Sequence, residues 1–360
     1  MSQAKPKILI IGPSWVGDMV MAQSLFKELK RLHPNSHIDV LAPAWSWPLL
    51  ERMPEVSRAI DLPVGHGQLL LKARYRLGVS LRRERYDRAI LLPNSLKSAL
   101  IPAFAEIPIR TGWRGEWRYG LLTDIRKLNK KRYPLMVQRF IALAHPSGTA
   151  LADNALDFPA PELVVDENLR AQTRAKYSLN RERPILVLCP GAEFGPAKRW
   201  PEQHYATVAA KKIADGWQVW LLGSGKDRAV CAAICELQAA LAQDSCINLA
   251  GSTALAEAID LMSQAECVVS NDSGLMHIAA ALGRPLVGIY GSTSADFTPP
   301  LSKQVSIESI DVACRPCFKR ECPKNSAVEK SKSEYMQCLK NLQPEQVLQA
   351  IARLKAVAQA

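Results

Sequence analysis

Lys7-Ile8-Leu9-Ile10-Ile11-Gly12-Pro13-Ser14-Trp15-Val16-Gly17-Asp18 decides the class of the fold. A short apolar run breaks at Gly12-Pro13, and the pattern then changes period. Val20, Met21, Ser24, Leu25, Leu29 and Leu32 recur at three- and four-residue spacing and share one helix face. This reads as a buried strand feeding an amphipathic helix. Similar apolar runs follow at Asp39–Pro43 and Arg88–Pro93, then at Pro184–Gly191, Val219–Gly225, Cys267–Ser270 and Pro285–Tyr290, with helix-length segments between them. Strands alternating with helices predict an α/β protein whose parallel sheets are covered on both faces.

The alternation restarts after Asp157-Phe158-Pro159-Ala160-Pro161, a Pro-bearing stretch suited to a linker. The expected domains are therefore residues 1–160 and 161–360. Each is a Rossmann-like, doubly wound unit, and the two face a cleft with ligands at the carboxyl ends of the strands. A chain of 360 residues fits two domains at about 100–200 residues each. Past Pro344-Glu345, the residues Val347, Leu348, Ile351, Leu354 and Val357 predict an amphipathic C-terminal helix that packs on either domain.

With 48% hydrophobic and 22% charged residues, the composition excludes a disordered chain. No apolar stretch approaches the roughly 20 residues that span a bilayer. Lys5 and Lys7 before Ile8–Ile11 superficially resemble a signal peptide, but the run is too short and lacks a small-residue cleavage site. A soluble, cytoplasmic protein is expected. Residues 1–160 carry 24 Lys and Arg against 13 Asp and Glu, so nearly the whole net charge of +12 lies in the first half. Read as more than a solvated face, that surplus suits an anionic membrane surface or a phosphorylated substrate. Nucleic acid is disfavoured, because no zinc-finger or RNP signature accompanies it.

The loops after the strands carry the chemistry. Gly12 to Asp18 lacks G-x-G-x-x-G, which argues against a nicotinamide dinucleotide. Asp18 at a helix start reads alone as a capping carboxylate; beside a ligand it is placed to take a proton from a hydroxyl. After Pro184–Cys189, the Gly/Pro-rich turn Gly191 to Pro201 carries Lys198-Arg199, a cation pair suited to phosphate oxygens. Ser270-Asn271-Asp272-Ser273-Gly274-Leu275-Met276-His277 passes from strand through a polar turn into a helix whose first N–H groups favour an anion. Asp272 would repel that anion, so it is expected to cap or orient the turn, and His277 alone reads as structural. Gly223-Ser224-Gly225-Lys226-Asp227 fails the P-loop pattern, so ATP hydrolysis is not supported. Cys314, Cys317, Cys322 and Cys338 are irregularly spaced and fit a reduced loop or a structural Zn²⁺, so no metal is assigned.

Taken together, Gly12–Asp18, Lys198-Arg199-Trp200-Pro201 and Asn271 to His277 strongly resemble the ADP-heptose:lipopolysaccharide heptosyltransferases. The likeness extends through Pro43-Ala44-Trp45, Leu92-Pro93-Asn94-Ser95, Arg110 to Gly115 and Thr298-Pro299-Pro300, covering nearly the whole chain. It implies a GT-B fold with an N-terminal acceptor-binding and a C-terminal nucleotide-sugar-binding domain. It also implies inverting transfer of L-glycero-D-manno-heptose from ADP-heptose onto the first heptose of heptosyl-Kdo₂-lipid A, releasing ADP, with no cofactor.

The resemblance makes Asp18 the base and Lys198 the cation at the leaving pyrophosphate. Asp272, Ser273, Gly274, Leu275, His277, Gly191 and Asp227 fall to the donor, and Ser14, Trp15, Asn94, Arg110 and Arg114 to the acceptor. The implied place of action is the cytoplasmic face of the inner membrane, with the enzyme attached peripherally. Two departures stand out: Gly191-Ala192-Glu193-Phe194 replaces the hydroxyl residues that relatives carry before the lysine, and only Asp227 is offered as the acidic partner of the donor ribose. A transferase for a different heptose acceptor, a GT-B sugar-nucleotide epimerase and a non-catalytic glycolipid-binding protein are the competing readings.

Overall fold

The computed structural model describes residues 5–63, 68–179, 182–238, 245–324 and 335–359. The chain divides into two compact units, Met1–Val164 and Val165–Ala360. In the first, β1 (Lys7–Ile11), β2 (His37–Ala42), β3 (Arg58–Asp61), β4 (Arg88–Leu91), β5 (Ile109–Trp113) and β6 (Asp124–Arg126) form one sheet. Its order is β3-β2-β1-β4-β5-β6, every neighbour parallel. The helices are α1 (Val16–Leu32), α2 (Trp47–Leu50), α3 (Leu71–Leu81), α4 (Leu96–Phe104) and α5 (Met136–Ile141). Leu9, Ile10, Val40, Leu41, Ile90 and Leu91 are fully buried, each contributing about 1.5–3 kcal/mol of transfer free energy.

α1 is buried over more than one stripe because it packs on α5 as well as on the sheet. Its buried Gln23 is satisfied from the far end of the unit. The side chain donates to the Glu162 carbonyl at 2.8 Å and to Glu55 Oε2 at 2.9 Å, and accepts from the Glu162 N–H at 2.8 Å. Val164 N–H also donates to the Arg52 carbonyl at 2.9 Å. These bonds hold the Pro-bearing stretch on the first unit, which therefore runs to Val164, beyond the boundary expected after residue 160.

In the second unit, β7 (Ile185–Cys189), β8 (Gln218–Leu221), β9 (Cys246–Asn248), β10 (Cys267–Asn271), β11 (Leu286–Ile289) and β12 (Val305–Glu308) form a second parallel sheet. Its order is β12-β11-β10-β7-β8-β9. The helices are α6 (Glu167–Lys176), α7 (Glu202–Ala214), α8 (Arg228–Glu236), α9 (Leu255–Met262) and α10 (Gly274–Ala281). The last helix, Pro344–Gln359, joins this unit: Val347, Ala350 and Ile351 are buried with Trp200, Tyr205 and Val287. Among the described residues no helix is long and apolar enough to cross a membrane.

Both sheets have the doubly wound order in which the chain reverses direction beside the first strand. The reversal lies between β1 and β4 in the first unit and between β7 and β10 in the second. Loops at the carboxyl ends of such a strand pair diverge and leave room for a ligand.

Candidate active site

In the first unit the loop after β1 carries Ser14 and Trp15 and leads to Asp18 in α1, and the loop after β4 carries Asn94. Gly12 closes β1 where a Cβ would meet Met19 Cε at 2.8 Å and the Leu41 carbonyl at 3.3 Å, so the backbone runs against the sheet there. Trp15, not Asp18, is the N-cap of α1, and Asp18 is a half-buried acid in the first turn. A carboxylate at that position is favoured by the helix dipole. Ser14 and Trp15 are exposed.

Asn94 is fixed by a residue that the sequence reading missed. Arg118 is wholly buried, and its guanidinium donates to the Pro93 carbonyl at 2.8 Å, to Asn94 Oδ1 at 3.3 Å and to the Trp113 carbonyl. Gly115 is required by the same contact, since its Cβ would lie 2.1 Å from the Asn94 carbonyl oxygen. Arg114, exposed at the carboxyl end of β5, lies on the same edge of the sheet. Arg110 does not. It sits at the amino end of β5, and its guanidinium donates to the carbonyls of Leu121 at 2.6 Å and Ile107 at 2.5 Å. That arrangement gives it a structural role in place of the acceptor contact expected of it.

In the second unit the β7 and β10 loops are joined by Asn271. Its amide donates to the Pro190 carbonyl at 2.7 Å, while Oδ1 accepts from Trp200 N–H at 3.1 Å and Tyr205 O–H at 3.0 Å. The turn held this way presents Lys198, whose Nζ is 2.6 Å from Asp272 Oδ2 and 5.1 Å from the centre of the Phe194 ring. Thr293, also missed from sequence, donates to the same Asp272 oxygen at 2.6 Å. Asp272 therefore orients the lysine and does not cap α10; the N-cap is Ser273, whose side chain makes no cap bond. Ser273, Gly274 and Leu275 are half-buried at that helix start. The repulsion expected between Asp272 and an anion is offset by two donors already on the carboxylate.

Asp227 closes the neighbouring turn. Its Oδ2 accepts from Ser224 N–H at 2.9 Å and Ser224 Oγ at 2.8 Å, and its Oδ1 lies 3.7 Å from Arg199. Those bonds hold the turn. A Cβ at Gly191 would be 2.4 Å from the Asp227 carboxyl carbon, so only glycine fits. Gly191→Ala is expected to cost about 1–3 kcal/mol through that overlap, measurable as a lowered Tm.

In the second unit, a basic turn beside an open helix start is suited to holding a phosphorylated ligand. The profile of glycosyltransferase family 9 (heptosyltransferase) matches residues 74–328. The chain belongs to this heptosyltransferase family. It is 56% identical over 306 residues to lipopolysaccharide heptosyltransferase 2 of Salmonella typhimurium, covering 84% of this chain and 87% of that protein. Lipooligosaccharide heptosyltransferase 2 of Haemophilus ducreyi is 50% identical over 357 residues, 97% of this chain and 99% of that one. The solved E. coli ADP-heptose lipopolysaccharide heptosyltransferase II superposes with a TM-score of 0.84 at 47% identity, over 98% of this chain and all of that one. The two doubly wound units of this heptosyltransferase are thus those of the GT-B fold.

His277 of this heptosyltransferase lies one turn into α10, buried, and burial pushes its pKa down to about 4. It is neutral near pH 7 and adds no charge to the Asn271–His277 turn. The unfolded chain binds a proton on this histidine near pH 6.5 and the folded chain only near 4. Stability is therefore expected to fall as pH drops through that window, by on the order of 3 kcal/mol. Denaturant titrations across it should show a slope that His277→Gln flattens.

Cys314, Cys317, Cys322 and Cys338 line one small cavity of about 20 Å³ together with Ala197 of the lysine turn. Burial raises the Cys338 thiol to about 11, and the other three thiols add to the rise. Among the described residues no three His, Cys, Asp or Glu side chains converge as a metal centre. The segment props the lysine turn: the Arg320 carbonyl accepts from Ala197 N–H at 3.1 Å, and Arg320 Nε donates to the Phe194 carbonyl at 2.7 Å.

Proposed function

We propose that this heptosyltransferase moves L-glycero-D-manno-heptose from ADP-heptose onto the first heptose of the lipopolysaccharide inner core, with inversion and release of ADP. The observation that carries the reading is identity of 50–56% to heptosyltransferase 2 proteins over most of the chain. Within this reading the residues at the strand ends supply the chemistry.

Asp18 takes the proton from the attacking hydroxyl of the acceptor heptose. The freed oxygen bonds to the anomeric carbon of the donor as the bond from that carbon to the ADP oxygen breaks. Lys198, fixed by Asp272 and Thr293, offsets the charge gathering on the leaving diphosphate, and the N–H groups of Ser273, Gly274 and Leu275 add to it. Ser14, Trp15, Asn94 and Arg114 receive the acceptor. Protein cations and helix dipole supply the positive charge, so the reaction is expected to need no divalent metal. The acceptor is lipid-linked, which places the reaction at a membrane surface.

The test is acceptor dependence. ADP release from ADP-heptose is followed with and without a deacylated heptosyl-Kdo core. The proposal expects release only when the acceptor is present. Conversion of donor without acceptor would point to an epimerase or hydrolase and overturn it.

A further inference from the structure

α3 carries an arrangement that the reaction does not use. Arg74, Gly78 and Leu81 face inward, with Gly78 set against Phe104 and the Ile101 carbonyl of α4. Leu71, Tyr75 and Val79, spaced four apart, run down an exposed stripe, and Leu69 and Leu70 extend it N-terminally. Leu71 is 52% exposed although it is among the most apolar residues of the unit.

This exposure is built in. The buried Arg74 guanidinium donates to the carbonyls of Gln68 at 3.2 Å, Leu69 at 2.6 Å and Lys97 at 3.2 Å. These bonds fix the backbone on the inner side of α3 and leave the three leucines outside. A second exposed apolar group is tied to the same turn. Trp117, 84% exposed, meets Tyr119 edge-to-face at 6.3 Å. Their loop is anchored by Arg118 on Pro93 and Asn94, and by Glu116 on the Leu96 N–H at 2.7 Å. Both apolar groups thus flank Pro93–Lys97, at the edge of the sheet that carries Asp18 and Asn94.

Cations border the stripe. Lys72, Arg76, Arg83 and Arg85 are exposed and form no ion pair among the described residues. We infer that the Leu69–Val79 face, with Trp117 and Tyr119, is the surface by which this protein docks on an anionic lipid bilayer. Leucines on an amphipathic helix enter the headgroup boundary, Trp and Tyr sit at the same depth, and Lys and Arg beside them meet anionic headgroups. A second copy of the chain suits the face poorly, because a two-fold contact brings the four cations of one copy against those of the other. The inference deepens the proposed function and rests on it only for the acceptor being lipid-linked.

The experiment is sedimentation of the full chain with vesicles of phosphatidylethanolamine and phosphatidylglycerol, and with phosphatidylcholine vesicles, without substrates. Two variants accompany it, Leu71→Ser/Tyr75→Ser and Lys72→Gln/Arg76→Gln. The wild type is expected to bind the anionic vesicles and not phosphatidylcholine. The charge variant should bind about fivefold more weakly for each cation removed, and the apolar variant should lose binding. Both should keep wild-type turnover with the deacylated acceptor, which separates loss of docking from loss of folding or from a wrong reaction. Undiminished vesicle binding by both variants would overturn the inference. So would a concentration-dependent dimer that Leu71→Ser/Tyr75→Ser dissolves.

Discussion

Asp18→Asn is expected to lower heptose transfer by about 10²–10⁴-fold while ADP binding and Tm stay close to wild type. The amide keeps the size of the carboxylate but cannot accept a proton. The substitution removes no helix cap: Trp15 is the N-cap of α1, and Asp18 lies within the first turn. Losing one charge at a helix start costs about 0.3–1 kcal/mol. Activity and stability should therefore separate. Thermal melts beside initial rates measure both, and an activity loss matched by a large drop in Tm would make Asp18 a folding residue instead of the base.

Lys198→Ala should damage both properties, for different reasons. Removing the cation at the leaving diphosphate is expected to reduce kcat by about 10²–10³-fold. It also strands Asp272, whose side chain is only 5% exposed and otherwise accepts a hydrogen bond from Thr293 Oγ1. Breaking one side of such a buried pair costs about 3–5 kcal/mol. Lys198→Ala/Asp272→Ala removes the stranded carboxylate, so stability should recover while turnover does not. Denaturant unfolding and kcat measured on the two variants test this coupling. Recovery of turnover in the double variant would remove Lys198 from the chemistry.

The sequence was most legible where the chain is most buried. β1, β2, β4, β7, β8, β10 and β11 lie inside their sheets and stand out in the sequence as apolar runs. β3, β6, β9 and β12 lie at the sheet margins, are three or four residues long and are partly exposed, so they carry no apolar run. β5 is internal, but Ile109-Arg110-Thr111-Gly112-Trp113 mixes a cation and a glycine into the strand. Arg110 falls to the acceptor only through the family resemblance of Arg110 to Gly115, whereas strand direction puts it at the amino end of β5, on the Leu121 and Ile107 carbonyls.

At the site, Lys198 and the Asn271–His277 turn were visible because each follows a strand. Their partners were not. Thr293 joins Asp272 from 21 residues away and Arg118 joins Pro93 from 25, and one sequence holds no local signal for such pairs. The boundary differed for a similar reason, because Gln23 holds Glu162 from across the unit.

The most direct test of the account is a mass-spectrometric transfer assay with ADP-heptose and heptosyl-Kdo₂-lipid A, run with and without EDTA beside Asp18→Asn. The account predicts that the wild type adds one heptose to the acceptor whether or not EDTA is present, and that the folded variant adds none. Wild-type transfer by Asp18→Asn, or no added heptose from folded wild-type protein, would contradict it.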